Sequence, residues 1–237
     1  QRAYDQVIHD VCMQNLHVIM CADRAGIVGN DGETHQGLLD MASFSIVPNM
    51  TIMAPKDFKE LEQMIDFAVN FNGPILIRYP RGGEGNLKLK CNEKIVLGES
   101  ELLKEGSDVT IIAIGKMVEK AVEVADKFSK IGVDAEIINA RFLKPFDENK
   151  IIESIEKTKN VITIEDGFIK GGLATTVNEL IAKNGIIDVN IENCGYDDEF
   201  VKQGSVQELE QINGLDCNSI VASWVKNENI VNEVLHG

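Results

Sequence analysis

The sequence predicts an α/β protein of two units built on mostly parallel sheets. Short apolar runs of strand length alternate with amphipathic helical stretches. No two of those runs are joined by a hairpin turn, so the strands are expected to pair in parallel through crossover helices. The run over residues 109–115 is almost continuously apolar, as a strand covered on both faces requires.

The chain opens at Gln1 inside a helical pattern, with Ala3, Val7, Ile8 and Val11 on one face and no N-cap before them. An upstream portion is therefore expected. Residues 17–22 form the first strand. Residues 23–50, rich in Gly, Asp and Asn, read as loop with a short helix near 38–43. Residues 51–54 are a second strand, stopped by Pro55. Asp57 caps the next helix, with Glu60 three residues on as in a capping box, and Phe58, Leu61, Met64, Ile65 and Ala68 form its apolar face. Residues 74–79 are a third strand, expected to neighbour the first. Residues 82–107 read as a surface linker with an edge strand at 94–97. A second series follows: strand 109–115, helix 117–129, strand 134–139, helix 147–157, strand 160–165, helix 172–183 and strand 189–193. Helices near 205–211 and 218–235 close the chain. The boundary between the units is expected near residue 95, dividing 1–95 from 96–237.

The 237 residues hold 38 Asp and Glu against 23 Lys and Arg, a formal net charge of −15. That balance argues against nucleic acid, whose phosphates need clustered bases. No apolar run approaches the ~20 residues that span a bilayer. Five cysteines, an odd number without close pairing, do not make a disulfide or zinc framework and fit a reducing, cytoplasmic compartment. Charge is also uneven, with a net of −3 over residues 1–95 and −12 beyond. The nearly neutral first unit is the half suited to an anion.

The densest polar cluster, residues 23–37, follows the first strand directly. Loops leaving the carboxyl ends of parallel strands line the crevice of open α/β sheets. This one carries Arg24, a guanidinium suited to phosphate or carboxylate, together with the carboxylate Asp31 and the imidazole His35. An ordinary loop with solvated charges is the bland alternative. Arg78 and Arg81 end the third strand. Arg81, beyond Pro80, is the better anion ligand, and Arg78 suits a structural pair. Gly167-Phe-Ile-Lys-Gly-Gly172 offers a weaker phosphate cradle, because it lacks the Lys-Ser/Thr of a P-loop. Asp31-Gly-Glu-Thr lacks the acidic positions of a calcium loop. Cys12 and Cys21 are expected to be buried, and His9 and His17 have no evident partners.

Several of these motifs together resemble one family. They are Gln1-Arg-Ala-Tyr-Asp-Gln6, Asp23-Arg-Ala-Gly-Ile-Val-Gly29, Asp31-Gly-Glu-Thr-His-Gln-Gly37 and Arg78-Tyr-Pro-Arg-Gly82, with Arg141-Phe-Leu-Lys-Pro-Phe-Asp147, Glu165-Asp166, Gly171-Gly172 and Phe200-Val-Lys-Gln-Gly204 beyond. The sequence is similar to the 1-deoxy-D-xylulose 5-phosphate synthases, thiamine-diphosphate enzymes related to transketolase and to pyruvate dehydrogenase beta subunits. The resemblance implies the later part of a pyrimidine-binding domain over 1–95 and a transketolase-type C-terminal domain over 96–237. It implies a reaction that joins pyruvate to glyceraldehyde 3-phosphate with loss of carbon dioxide. Arg24 and Arg81 would hold the acceptor phosphate, Asp31 and His35 would reach its hydroxyl and carbonyl, with His35 moving a proton, and Arg2 would lie near cofactor and donor.

The same resemblance places the activating glutamate and the magnesium ligands of the diphosphate upstream of Gln1. Thiamine diphosphate and Mg²⁺ are thus expected in the full-length homodimer. This chain alone is expected to carry no metal site, no bound cofactor and no activity. Two other readings stand beside it: a split subunit of another transketolase-like enzyme, and a non-catalytic α/β module for dimerisation or regulation. Paired arginines with Asp23-Arg-Ala-Gly suit a phosphorylated acceptor rather than lipoamide.

Overall fold

The computed structural model describes residues 2–83, 85 and 94–236. Helix α1 (Tyr4–Gln6) runs directly into a π-helical stretch, Val7–Cys12, where the Met13 N–H reaches the Ile8 carbonyl five residues back. Of the expected amphipathic face, Val7, Ile8 and Val11 pack on the core together with Tyr4, whereas Ala3 is exposed. Strand β1 (Ile19–Ala22), helix α2 (Asp40–Ser45), strand β2 (Thr51–Met53), helix α3 (Phe58–Asn70) and strand β3 (Ile75–Arg78) follow. Strand β3 lies between the other two, parallel to both, with Ile75 opposite Ile19 on one side and Thr51 on the other. The expected neighbourhood of first and third strands is therefore present, and their carboxyl ends coincide.

From residue 94 the order is β4 (Glu101–Lys104), β5 (Val109–Ala113), α4 (Met117–Lys130), β6 (Ala135–Asn139), β7 (Phe142–Lys144), α5 (Glu148–Thr158), β8 (Asn160–Phe168), α6 (Leu173–Lys183), β9 (Asn190–Tyr196), α7 (Val206–Ile212) and α8 (Cys217–His236). Strand β4 falls inside the stretch 82–107 expected to be linker, of which 84 and 86–93 lie outside the described residues. The second sheet runs β4-β6-β5-β8-β9, parallel except where β4 meets β6. As its apolar run required, β5 is buried at every residue. One face packs Val118, Ala121 and Phe128 of α4, with Trp224 of α8 edge-on to Phe128 at 4.9 Å. The other face packs Ile151 and Ile155 of α5 and Val177 and Leu180 of α6.

One expectation about strands is corrected, and one strand not expected from the sequence is present. The described residues 94–97 form no strand, and the edge position is taken by β4 instead, whose Glu101 side chain is drawn inward by ionic partners. Strand β7, which polar residues and Pro145 conceal, pairs antiparallel with β2 and completes the first sheet as β1-β3-β2-β7. One sheet is thus built from both halves of the chain. A single apolar cluster also crosses between them, joining Met41, Ile52 and Leu76 to Ile112, Ile138 and Leu143.

At the same seam lies a buried charge network. Lys56 Nζ is 3.1 Å from Glu60 Oε1 and 2.7 Å from Glu101 Oε2, while Arg141 reaches Glu60 through Nε at 2.8 Å and Glu101 through Nη2 at 3.0 Å. Asn139 Nδ2 donates to both carboxylates at 3.0 and 3.1 Å. The four charged side chains are at most 2% exposed. Burial pushes the Glu101 carboxyl up, but Lys56, Asn139 and Arg141 outweigh it and hold the group below its ordinary value. The network also alters the cap of α3. Asp57 accepts the Glu60 N–H as expected, but the Glu60 carboxylate turns to the Lys56 N–H and the network, leaving half of the capping box.

The turn into α6 answers the phosphate-cradle expectation. Glu165 Oε2 accepts the Leu173 N–H at 2.9 Å and Oε1 the Ala174 N–H at 2.8 Å, so the helix N-terminus is filled by the chain's own carboxylate. Gly172 is required there, because a Cβ would stand 1.9 Å from Glu165 Oε2. Burial pushes the Glu165 carboxyl up to about 7, against the two helix amides that stabilise its charge.

Glu101→Ala leaves Lys56 and Arg141 with one carboxylate between them in a dry site. It is expected to destabilise the chain by about 3–5 kcal/mol, read as a shift in the urea midpoint. Glu165 sets a pH dependence whose sign follows from its raised pKa. Between its ordinary value near 4.5 and about 7 the folded state binds the proton that the unfolded state has lost, so this group's contribution to stability falls as pH rises through that window. Urea titrations across the window are expected to show a shallower fall in Glu165→Gln than in the parent chain.

Candidate functional site

The polar loop after β1 is folded back on itself and fastened at several points. The Gly26 and Gly37 backbones exchange hydrogen bonds at 2.8 and 2.7 Å, closing the loop as a single antiparallel bridge. The Ala25 N–H donates to the Tyr79 carbonyl at 2.9 Å, which ties the loop to the end of β3. Its far side meets the second half of the chain: Gln203 Nε2 donates to the Asn30 carbonyl at 2.9 Å, and the Ile27 N–H to Asp166 Oδ1 at 3.2 Å. Between these ties the backbone makes two short 3₁₀ turns, Gly29–Asp31 and Glu33–His35. Arg24 itself takes a left-handed φ of 59°, uncommon for a residue other than glycine and shared in this chain with Asn15, Asn49, Arg141, Lys159 and Asp188.

The structure brings Asp31 and Arg81 together. Arg81 Nη1 lies 2.8 Å from Asp31 Oδ2, with Arg81 mostly exposed. Arg24 is exposed and makes no ion pair among the described residues, although its backbone lies one residue from the Ala25–Tyr79 tie. His35 is exposed too, with Nδ1 2.9 Å from Thr34 Oγ1. It lines a separate cavity of about 400 Å³ with Tyr4, Gln36, Asp40, Ser43 and Phe44. Tyr4 stands edge-on to Phe44 at 5.4 Å and donates its hydroxyl to the Ser43 carbonyl at 2.6 Å. Arg2 is exposed, two residues before Tyr4.

Arg78 takes the structural role expected of it. Its guanidinium is 4% exposed, with Nε on Asp40 Oδ2 at 2.7 Å and Nη2 on the Asp166 carbonyl at 2.9 Å. Arg81 opens instead onto a second cavity, of about 450 Å³, with Tyr79, Lys116, Lys120 and Glu210 among its walls. Lys116 Nζ is 2.6 Å from Asp166 Oδ2 and Lys120 Nζ 2.6 Å from Glu210 Oε2, so its lysines stand beside acids. Burial, with Cys21 and Asp23 beside it, pushes the Tyr79 hydroxyl above its ordinary value.

Three residues of the site were not singled out as site residues from sequence: Asp40, Lys116 and Asp166. Asp166 carried a signal only as half of the Glu165-Asp166 pair, and nothing local marks Lys116. Other expectations need correction. Cys21 is exposed at the sheet edge, although Cys12 is buried as expected. His9 pairs with Asp10 at 2.7 Å, and His17 Nε2 lies 2.9 Å from the Ala68 carbonyl. No three His, Cys, Asp or Glu side chains cluster as a metal site among the described residues. Among the described residues, no helix is long and apolar enough to cross a membrane.

Comparisons with known proteins follow this architecture. The chain is 45% identical over 95% of its length to a 1-deoxy-D-xylulose-5-phosphate synthase of Halothermothrix orenii, 44% over 95% to one of Clostridium tetani, and 46% over 93% to one of Clostridium perfringens. It spans 36% of the length of each. Among solved structures, a split-gene transketolase described as an inactive beta4 tetramer superposes with a TM-score of 0.86 at 29% identity, covering 95% of this chain and 71% of that one. A transketolase from Campylobacter jejuni shares the fold, with a TM-score of 0.67 at 20% identity over 88% of this chain and 31% of that one. Residues 1–84 match the transketolase pyrimidine-binding domain and residues 98–220 the transketolase C-terminal domain, and the chain belongs to the transketolase family.

Proposed function

We propose that this chain carries the acceptor-binding side of a thiamine-diphosphate-dependent synthase that condenses pyruvate with glyceraldehyde 3-phosphate, releasing carbon dioxide and forming 1-deoxy-D-xylulose 5-phosphate. The observation that carries the reading is the 23–37 loop, which leaves a parallel strand's carboxyl end and is tied by Ala25 to the strand that delivers Arg81. Arg24 and Arg81 bind the acceptor phosphate, and Asp31 holds the Arg81 guanidinium between turnovers. His35, exposed on the loop, moves a proton at the acceptor carbonyl as it becomes a hydroxyl. The 45% identity to a synthase of this name over 95% of the chain supports the substrate pair.

The residues present fit part of the cofactor. A cavity edged by Tyr4 and Phe44, with the Asp40 carboxylate at its wall, suits a flat heterocycle with polar edges. Tyr4, Phe44 and Asp40 would contact it, and Arg2 would stand near it. Thiamine diphosphate, when bound, supplies the carbon nucleophile that makes decarboxylation of a 2-oxoacid feasible. Its Mg²⁺ and diphosphate are assigned to the portion of the relatives that this chain does not span. The working enzyme is read as a cytoplasmic homodimer, and the 237 residues by themselves as inactive.

A second reading, a split subunit completed by a partner chain, is supported by the likeness to the split-gene transketolase, 71% of whose chain is covered. Native mass spectrometry of the source protein separates them. A much longer polypeptide is expected, whereas a native subunit of this chain's own mass favours the split subunit. In the full-length enzyme Arg24→Ala is expected to raise the KM for glyceraldehyde 3-phosphate by about tenfold to a hundredfold, the worth of a charge-assisted hydrogen bond, and to affect pyruvate less. Equal losses for both substrates would contradict the assignment.

A further inference from the structure

We propose that Asp166, on the second sheet, is the positioning residue that sets the place of the 23–37 loop and so the aim of Arg24 at the acceptor phosphate. The inference rests on the acceptor reading given above, but its geometry stands apart from it. The Asp166 carboxylate is almost wholly buried, and Oδ1 accepts the Ile27 N–H at 3.2 Å. Gly26, one residue earlier, has a φ of +78° and no room for a side chain, since a Cβ would lie 1.6 Å from Asp166 Oδ2 and 2.1 Å from Cγ. The loop backbone therefore lies flat against this one carboxylate, at a closeness that only glycine permits.

Two other ties hold Asp166 itself, and a third holds its partner Arg78. Lys116 Nζ sits 2.6 Å from Oδ2, the Asp166 carbonyl accepts from Arg78 Nη2 at 2.9 Å, and Arg78 is in turn held by Asp40 at 2.7 Å. Asp166 thus links the loop after β1, the last residue of β3, α2 and the start of α4. Arg24 lies two residues before Gly26, and Arg81 two residues after Tyr79, which accepts the Ala25 N–H. A shift at Gly26 and Ile27 changes the spacing of the two arginines without touching either. Asp166 need not contact the substrate to act in this way.

Asp166→Ala in the full-length protein is expected to raise the KM for glyceraldehyde 3-phosphate about tenfold, as small misplacements of positioning groups do, with the pyruvate KM within about twofold of the parent. Asp166→Asn, whose amide oxygen still accepts the Ile27 N–H, is expected to restore most of the acceptor affinity. In an Arg24→Ala background Asp166→Ala is expected to add much less than it does alone, because both act on the same contact. Equal rises in the two KM values, or full additivity with Arg24→Ala, would overturn the proposal. Hydrogen exchange supplies a readout independent of any substrate. Amides 25–29 are expected to lose protection in Asp166→Ala while those of α6 keep theirs, and unchanged protection of the loop sinks the positioning role. Should Asp166→Ala fail to fold, Gly26→Ala tests the same contact from the loop side and is expected to give the same acceptor defect and the same loss of protection. An unaltered acceptor KM in Arg24→Ala would instead remove the acceptor reading and leave the exchange result to decide the role of Asp166.

Discussion

The fold depends on a dry ionic knot. Lys56 and Glu60 come from the start of α3, Glu101 from the edge strand β4, and Asn139 and Arg141 from the end of β6 and the residues after it. Two cations and two anions so deeply buried gain little net stability, since desolvation consumes most of the Coulomb attraction. What they supply is specificity. Lys56 and Glu60 pair with each other and also reach across to Glu101 and Arg141, so the set of pairs is complete only in one mutual placement of the two halves. Arg141 adopts a left-handed φ of 56° within this knot, and the strand that follows it, β7, then reaches the edge of the first sheet.

From that placement the candidate site follows. With β1 and β3 parallel and adjacent, the loop after one and the arginine-bearing end of the other emerge side by side. The second sheet brings Asp166 and Lys116 up to the loop from beneath, and the segment after β9 brings Gln203 to its tip. A polar stretch that would otherwise be solvated is held by backbone hydrogen bonds on three sides.

Acidity is distributed to suit this arrangement. Most of the net charge of −15 lies beyond residue 95, and three acids of the site are committed: Asp31 to Arg81, Asp166 to Lys116, Glu210 to Lys120. Glu165 is turned inward to cap α6 and does not reach the loop. Arg24, like Asp23 and Glu33 of the same loop, has no ionic partner among the described residues, and as the loop's one guanidinium it is open to a ligand anion.

Much of the architecture was legible in the sequence because it rests on local physics. The apolar run of β5, the Asp57 cap of α3 and the alternation of strands with helices each depend on neighbours within a few residues, and they specify a parallel α/β fold unaided. The loop with Arg24, Asp31 and His35 was legible for a similar reason, since glycines and polar groups after a strand have no core to join. Strand β7 and edge strand β4 were not, because their pairing is decided by partners about 90 and 40 residues away and their own residues carry no period-two pattern. The partnership of Asp166 with Gly26, the inward turn of Glu60 and the pairing of Arg81 with Asp31 were also beyond reach. Sequence alone determined which side chains can carry charge or bend the chain. Only the tertiary structure decided which of them meet, because the energy of a buried charge depends on the partner that desolvation forces upon it.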